Sequence, residues 1–296
     1  MAPGPYSFVR RTPACQMHTG SKEKGNIMSA ETKSKAPIVF VHGLWLHGES
    51  WSSWVQFFRD NRYEATAASW PGDSQTTEET RKNAGAVAGY GVTEIADHIA
   101  KQLSAFGRRP ILIGHSFGGL VVQNLLGRDL AAAAIAIDPA PIKGVPELPL
   151  SALRSSFPVL SNPLNFKRAV ALTEHQFRFG FTNAVTEQEA KELYAKYAMP
   201  APGRPLFQAA TATLNPYSAT KVNVANANRG PLLLVSGGKD NTVPPVMVKS
   251  TLKAYRQSPA VTELKEFPGR GHSLTIDSGW RELAQFSLAW LNAKGL

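Results

Sequence analysis

Residues 110–119 read PILIGHSFGG, and this stretch decides the fold. The apolar run PILI predicts a buried strand, and the residues from Phe117 predict a helix. Between them Gly114–Gly118 matches G-x-S-x-G, the pattern of a sharp strand-to-helix turn that presents a serine above a sheet. The glycines remove side chains where such a turn is tightest. Ser116 is therefore predicted to be a nucleophile at a helix N-terminus, where the helix dipole favours a nearby oxyanion.

Two later loops supply the partners that a serine nucleophile needs. Asp240 follows the apolar run PLLLV, and His272 follows the last predicted strand. A serine hydroxyl is a weak nucleophile until a base takes its proton, and we expect His272 to be that base, with Asp240 fixing its tautomer. Asp138, which follows the run AIAI, is a second position from which an acid could reach the histidine.

An oxyanion formed on the substrate needs two converging backbone N–H groups. One is expected from Phe117, the residue after the nucleophile, and the other from Leu44 in the loop after the first strand. Gly43 would let that loop come close, and His42 is expected to order it rather than to react. Trp45 either walls the acyl pocket or packs under the lid, the helical insertion described below.

Strand and helix patterns alternate from Pro37 to the C-terminus, which is typical of a parallel sheet covered by helices on both faces. The sequence therefore predicts an α/β fold with a doubly wound, mostly parallel sheet of about six strands. The predicted strands are Pro37–Val41, Glu64–Ser69, Pro110–Gly114, Ala133–Ile137, Pro231–Val235 and Val261–Phe267. The predicted helices cover residues 52–61, 92–106, 117–126, 246–256 and 280–291.

Two stretches lie outside this alternation. Residues 1–36 are polar and aperiodic and are predicted to be a disordered leader, which leaves residues 37–296 as the folded domain. Residues 141–230 read as a helical lid inserted over the carboxyl ends of the strands, with one helix beginning at Thr186 and Glu189 in capping-box spacing. The lid holds six phenylalanines, and Phe177 and Phe181 are predicted to contact substrate together with Trp45 and His115 of the scaffold. His175 is a further lid candidate.

The composition excludes several classes of protein. The net charge is +10, and residues 1–36 hold four of these charges, but no basic residues alternate with aromatic ones as in single-strand binders, so no nucleic-acid partner is expected. The single cysteine, Cys15, excludes an internal disulfide or a cysteine cluster for zinc. No H-E-x-x-H or G-x-G-x-x-G motif occurs, so neither a metal nor a cofactor is predicted. No apolar run is long enough to span a membrane and no secretory signal follows Arg10-Arg11, so a cytoplasmic location is expected.

Taken together, His42-Gly43, Gly114–Gly119, Asp240 and His272 resemble the α/β-hydrolase superfamily over the whole stretch from Pro37. The loop VHGLWLHGESW resembles that of the esterase and cofactor-free haloperoxidase branch and, with one residue more, that of plant methylesterases and hydroxynitrile lyases. Perhydrolases of that branch tend to carry proline where this chain has Trp45. Dehalogenases and epoxide hydrolases carry aspartate where it has Ser116.

The sequence therefore predicts a serine hydrolase that cleaves a small to medium, fairly apolar carboxylic ester through an acyl-enzyme. The same residues would serve a lactonase, an amidase, a perhydrolase or a lyase. A receptor for a small molecule can also retain the residues of a hydrolase scaffold without turnover. The natural substrate and the oligomeric state are not encoded in any motif found here.

Overall fold

The computed structural model describes residues 35–296 of the chain. The predicted leader, residues 1–36, falls almost wholly outside this described part. No helix among the described residues is both long and apolar enough to cross a membrane.

Six parallel strands form the main sheet, as the alternation of patterns predicts. The chain enters at the second position, moves outward once, and then crosses back and proceeds to the other edge in the order β2-β1-β3-β4-β7-β8. A separate antiparallel pair, β5 with β6, lies in the insertion. The strands are β1 Ile38–Val41, β2 Ala65–Ala67, β3 Ile111–His115, β4 Ala133–Ile137, β5 Ala169–Val170, β6 Ala201–Pro202, β7 Leu232–Gly237 and β8 Thr262–Phe267.

Ten α-helices accompany the strands in the described residues. Short 3₁₀ turns occupy Gly48–Trp51, Ala84–Val87, Pro163–Lys167 and Tyr255–Gln257. The α-helices are α1 Ser52–Asp60, α2 Thr77–Lys82, α3 Val92–Leu103, α4 Phe117–Gly127, α5 Leu150–Leu160, α6 Glu174–Gly180, α7 Glu187–Tyr197, α8 Arg204–Ala210, α9 Pro245–Ala254 and α10 Trp280–Ala293.

Both faces of the sheet are buried, which explains why its inner strands are continuously apolar. Along β1, Ile38 and Phe40 join a core under α1 and α10, whereas Val39 and Val41 join a core under α3, α4 and α9. Strand residues alternate between the two faces, so each inner strand needs apolar side chains at every position. The sheet is therefore doubly wound, and the loops that follow its strands lie at its carboxyl edge.

The insertion, residues 141–230, carries α5 to α8 and the β5–β6 pair between β4 and β7. The predicted helix start at Thr186 is confirmed, because its side chain accepts the N–H of Glu189 at 3.2 Å. The Glu189 side chain, however, does not return to Thr186 as the predicted capping box requires. It accepts the N–H of Ser278 at 2.6 Å and so joins the insertion to the loop before α10.

Candidate active site

Ser116 occupies the tight turn between β3 and α4. Its backbone is left-handed, with φ 56° and ψ −122°, a strained conformation for a residue with a side chain. The turn is held by the Ser116 N–H, which donates to Ile137 O at 2.9 Å. A Cβ on Gly114 would lie 2.3 Å from Gly118 O, and one on Gly118 would lie 2.2 Å from Val41 O. Glycine is thus required at both positions, as the sequence pattern indicates.

The loop after β1 lies directly against this turn. A Cβ on Gly43 would be 2.7 Å from the Ser116 Cβ, so the backbone of the loop touches the serine. Leu44 follows Gly43 in this loop, and Phe117 is the first residue of α4, whose N–H precedes the first intrahelical bond. The two predicted oxyanion donors therefore belong to the two segments that flank Ser116.

His42 stabilises the same loop through its contacts with neighbouring residues. Its Nε2 lies 3.0 Å from Asp73 Oδ2, its Nδ1 lies 2.9 Å from Gly43 O, and its ring stacks on Trp70 at 4.7 Å. Asp73 also accepts the N–H of Trp70 at 2.7 Å. Sequence reasoning missed Asp73, which lies 31 residues from His42 in a Pro-Gly-Asp turn.

Trp45 ties the loop to the insertion. Its indole Nε1 donates to Val170 O at 3.0 Å, and its own carbonyl accepts the N–H of Met199 at 3.1 Å. Leu44 and Trp45 line a cavity of only about 10 Å³, which is room for about one water molecule.

His272 and Asp240 form a fully buried pair. The His272 Nδ1 donates to Asp240 Oδ2 at 2.5 Å, and neither side chain is exposed. Asp240 is itself oriented by the N–H groups of Thr242 and Val243, which donate to its Oδ1 at 2.6 and 2.8 Å. Because the Nδ1–H of His272 donates to Asp240, the lone pair of the neutral ring lies on Nε2, which has no hydrogen-bond partner among the described residues.

Asp138, the alternative acid, lies close by but makes different contacts. Its Oδ1 accepts the N–H of Gly237 at 2.6 Å, and its Oδ2 has no donor among the described residues. Burial, and after it the charge of Asp240, raise the pKa of Asp138 well above its ordinary value. Asp240 is thus the acid bonded to His272.

Two of the predicted substrate contacts, His115 and Phe181, lie against the His272 imidazole, and the other two pack on Phe181. The His115 ring centroid lies 4.5 Å from that of His272, and the Phe181 ring meets His272 edge-on at 4.7 Å. Phe177 stacks on Phe181 at 4.6 Å, and Trp45 meets Phe181 at 6.0 Å. Burial, and after it the proximity of His272, lower the pKa of His115 well below its ordinary value, so its ring is neutral.

The other lid candidates lie away from this cluster. Phe157 is 66% exposed, and Phe166 packs on Phe207 at 5.8 Å. His175 and Phe179 line an open groove of about 580 Å³ between α5 and α6. Of the insertion's phenylalanines, Phe181 thus packs on His272, and Phe177 stacks on Phe181.

One group of side chains offers ligand atoms to a metal ion. Donor atoms of His115, Asp138 and His272 all lie within 4.8 Å of one another, and all three residues are buried. The Nδ1 of His272 is already engaged by Asp240.

Comparisons with known proteins place the chain in a family. The family model described as "Alpha/beta hydrolase family" matches residues 38–286, and the chain belongs to that family. No curated protein sequence matches it.

Solved structures share its fold at low identity. A monoacylglycerol lipase from Paleococcus ferrophilus is 20% identical with a TM-score of 0.60, over 86% of this chain and 95% of that chain. A methylesterase from Arabidopsis is 18% identical with a TM-score of 0.58, over 87% and 99% of the two chains. A thermophilic esterase from Thermogutta terrifontis is 16% identical with a TM-score of 0.62, over 88% and 90%.

Proposed function

We propose that the protein is a serine hydrolase that cleaves carboxylic esters through an acyl-enzyme intermediate. The observation that carries this proposal is the oriented His272, with its Nδ1 bonded to Asp240 and its Nε2 left free. Ser116 at the strained turn supplies the nucleophile, and the ring of its neighbour His115 lies 4.5 Å from that of His272. The three groups have the chemical roles that acyl transfer requires.

In the first half of the reaction, Ser116 Oγ attacks the ester carbonyl carbon while His272 Nε2 takes the hydroxyl proton. The negative charge that forms on the carbonyl oxygen is accepted by the N–H groups of Leu44 and Phe117. The intermediate then collapses, the carbon–oxygen bond to the alcohol breaks, and His272 gives its proton to the leaving alkoxide. Asp240 stabilises the imidazolium while it holds that proton.

In the second half, water replaces the alcohol. His272 takes a proton from the water as its oxygen attacks the acyl carbon, and the same two N–H groups bind the second oxyanion. Collapse breaks the bond to Ser116 Oγ, which recovers its proton from His272 and releases the carboxylic acid.

The insertion acts as a lid in this proposal. Ser116 is only 4% exposed and Phe181 packs against His272, so the insertion must move for an ester to enter. The walls that Trp45, Phe177 and Phe181 present are aromatic, which favours a fairly apolar acyl group of small to medium size.

The test is steady-state turnover of p-nitrophenyl acetate followed by an acyl-chain-length series. Ser116→Ala is expected to reduce turnover at least about 10³-fold, with the fold retained. The matched control is Ser287→Ala, which removes an equally buried serine hydroxyl in α10 on the opposite side of the sheet. Undiminished turnover in Ser116→Ala would show that the mechanism is wrong. A single slow event in the wild type would indicate a receptor.

A further inference from the structure

Asp138 is a buried acid to which the proposed mechanism gives no role. It directly follows β4, has an exposure of 0% and adopts a left-handed φ of 41°, which is unusual for a residue with a side chain. Its Oδ1 accepts the N–H of Gly237 at the end of β7. A fully buried acid on a strained backbone destabilises the folded state unless its neighbours stabilise it. The groups around Asp138 therefore determine its role.

Four titratable groups face Asp138. Asp240, which is bonded to His272 Nδ1, and Arg270 both act on its carboxyl group electrostatically. Donor atoms of His115 and His272 lie within 4.8 Å of it. The Arg270 guanidinium is already engaged by the carboxylate of Asp277 and by carbonyls near α10. His115 is neutral, so within residues 35–296 no free positive charge beside Asp138 balances a second carboxylate.

The Oδ2 atom of Asp138 shows how this conflict is resolved. No N–H or O–H group among the described residues donates to it, although it is fully buried. An ionised oxygen without a donor in such a place carries the full cost of its lost hydration. If this oxygen carries a proton, it becomes a donor instead, and the carboxylate of Asp240 is the acceptor beside it.

We propose that Asp138 is a positioning residue that remains protonated and donates its Oδ2 proton to Asp240. Its Oδ1 meanwhile stays on the Gly237 N–H, so the ends of β4 and β7 are joined through one neutral carboxyl group. Asp240 is then held by three kinds of donor: two backbone amides, the His272 ring and the Asp138 hydroxyl. Because Asp138 is uncharged, it does not compete with Asp240 for the His272 Nδ1 proton. The inference rests on the proposed hydrolase function.

Asparagine is the decisive substitution, because it reproduces a neutral aspartic acid with one donor and one acceptor. Asp138→Asn is expected to keep kcat/KM for p-nitrophenyl acetate within about threefold of the wild type. Asp138→Leu, of similar size but without polar atoms, should lower it at least about tenfold. Asp240→Asn should lower kcat by about 10⁴-fold. A loss in Asp138→Asn as large as in Asp240→Asn would overturn the proposal, because it would make Asp138 an ionised acid.

The acid limb of the pH–rate profile separates positioning from a merely structural role. Loss of the Asp138 donor leaves more negative charge on Asp240, so His272 keeps its proton to higher pH. The acid limb should move up by roughly half a pH unit in Asp138→Leu and stay in place in Asp138→Asn. A shift of the acid limb to lower pH in Asp138→Leu would mean that the substitution had removed a negative charge. An acid limb that does not move in Asp138→Leu would mean that Asp138 contributes only to packing. Either result overturns the proposal.

A stability measurement tests the proton without any turnover. An acid with a raised pKa in the folded state stays protonated while the unfolded chain loses its proton, so its contribution to stability falls as pH rises. The Tm of Asp138→Asn minus that of the wild type should therefore increase from about pH 5 to about pH 8. The control Asp97→Asn, at an exposed acid on α3, should give a constant difference. A constant difference for Asp138→Asn as well would overturn the proposal, whether or not the protein hydrolyses esters.

Discussion

Phe181 packs against His272, with the two rings nearly perpendicular at 79° and 4.7 Å between their centroids. Phe181 follows α6 of the insertion, whereas His272 follows β8 of the sheet. The carbonyl of Phe181 also accepts the N–H of Ser273, the residue after the histidine, at 2.9 Å. In the proposed hydrolase, the size of the substrate and the position of His272 would thus depend on the same residue of the insertion.

Phe181→Ala is expected to widen the acyl site at a cost in stability. Removing this buried ring should lower the free energy of unfolding by about 3–5 kcal/mol, and kcat/KM should rise for longer acyl chains relative to acetate. Urea unfolding and a p-nitrophenyl ester series measure the two effects. Phe157→Ala, at a 66% exposed ring of the same insertion, is the control and should leave both within error.

Gly43→Ala should separate oxyanion binding from folding. Its new methyl group would stand 2.7 Å from the Ser116 Cβ, so the loop must retreat and carry the Leu44 N–H with it. We expect kcat to fall about 10²-fold with a smaller change in KM, as for the loss of one oxyanion donor. Gly85→Ala places its methyl group in open space and should behave as the wild type. An unchanged kcat in Gly43→Ala would remove Leu44 from the proposed mechanism.

Asp73→Ala tests the support beneath the same loop. Both side chains of the His42–Asp73 pair are 1% exposed, so removal of the acid leaves a buried imidazole without its partner. The free energy of unfolding should fall by about 3 kcal/mol, and kcat should fall with it. The comparison is Asp97→Ala, which breaks an exposed ion pair with Arg128 and should cost less than about 1 kcal/mol. Equal losses in the two variants would contradict a special role for Asp73.

We expect His115 to cause part of the loss of stability at low pH. The pKa of His115 is lowered in the folded protein. Below about pH 6.5, therefore, His115 is protonated in the unfolded chain but still neutral in the folded protein. Stability is therefore complete above that pH and falls as the pH decreases, by up to about 1.4 kcal/mol per pH unit. His115→Gln should flatten the decline in Tm between about pH 6.5 and 5. His175→Gln, at an exposed lid histidine, should not change it.

The sequence is sufficient to predict those parts of the fold and of the candidate site that depend on a local pattern. The four inner strands follow from apolar runs, and the turn at Ser116 follows from glycines that backbone contacts make obligatory. Asp240 and His272 could be chosen because parallel strands deliver their following loops to one edge of the sheet. Only the 2.5 Å bond decides between Asp240 and Asp138 as the partner of His272, since both follow a strand.

Contacts between distant segments could not be predicted in this way. Asp73 meets His42 across 31 residues, and no periodicity records such a pairing. Glu189 has the spacing of a capping box, but its side chain accepts a hydrogen bond from the N–H of Ser278 instead. The phenylalanines of the insertion look equivalent in sequence, but packing buries Phe181 and leaves Phe157 outside. In each case, tertiary structure selects one of several locally acceptable partners.

Trp45 gives the molecule a built-in optical probe. Its indole N–H is bonded to Val170 of the insertion while its backbone belongs to the loop beside Ser116. If the insertion moves as proposed for ester entry, this bond breaks and the indole enters a different solvent environment, which changes its fluorescence. The chain has six tryptophans, and three of the others, Trp51, Trp54 and Trp290, are buried under α1 and α10 on the far face of the sheet. Intrinsic emission can therefore report the opening of the insertion in real time, without a label.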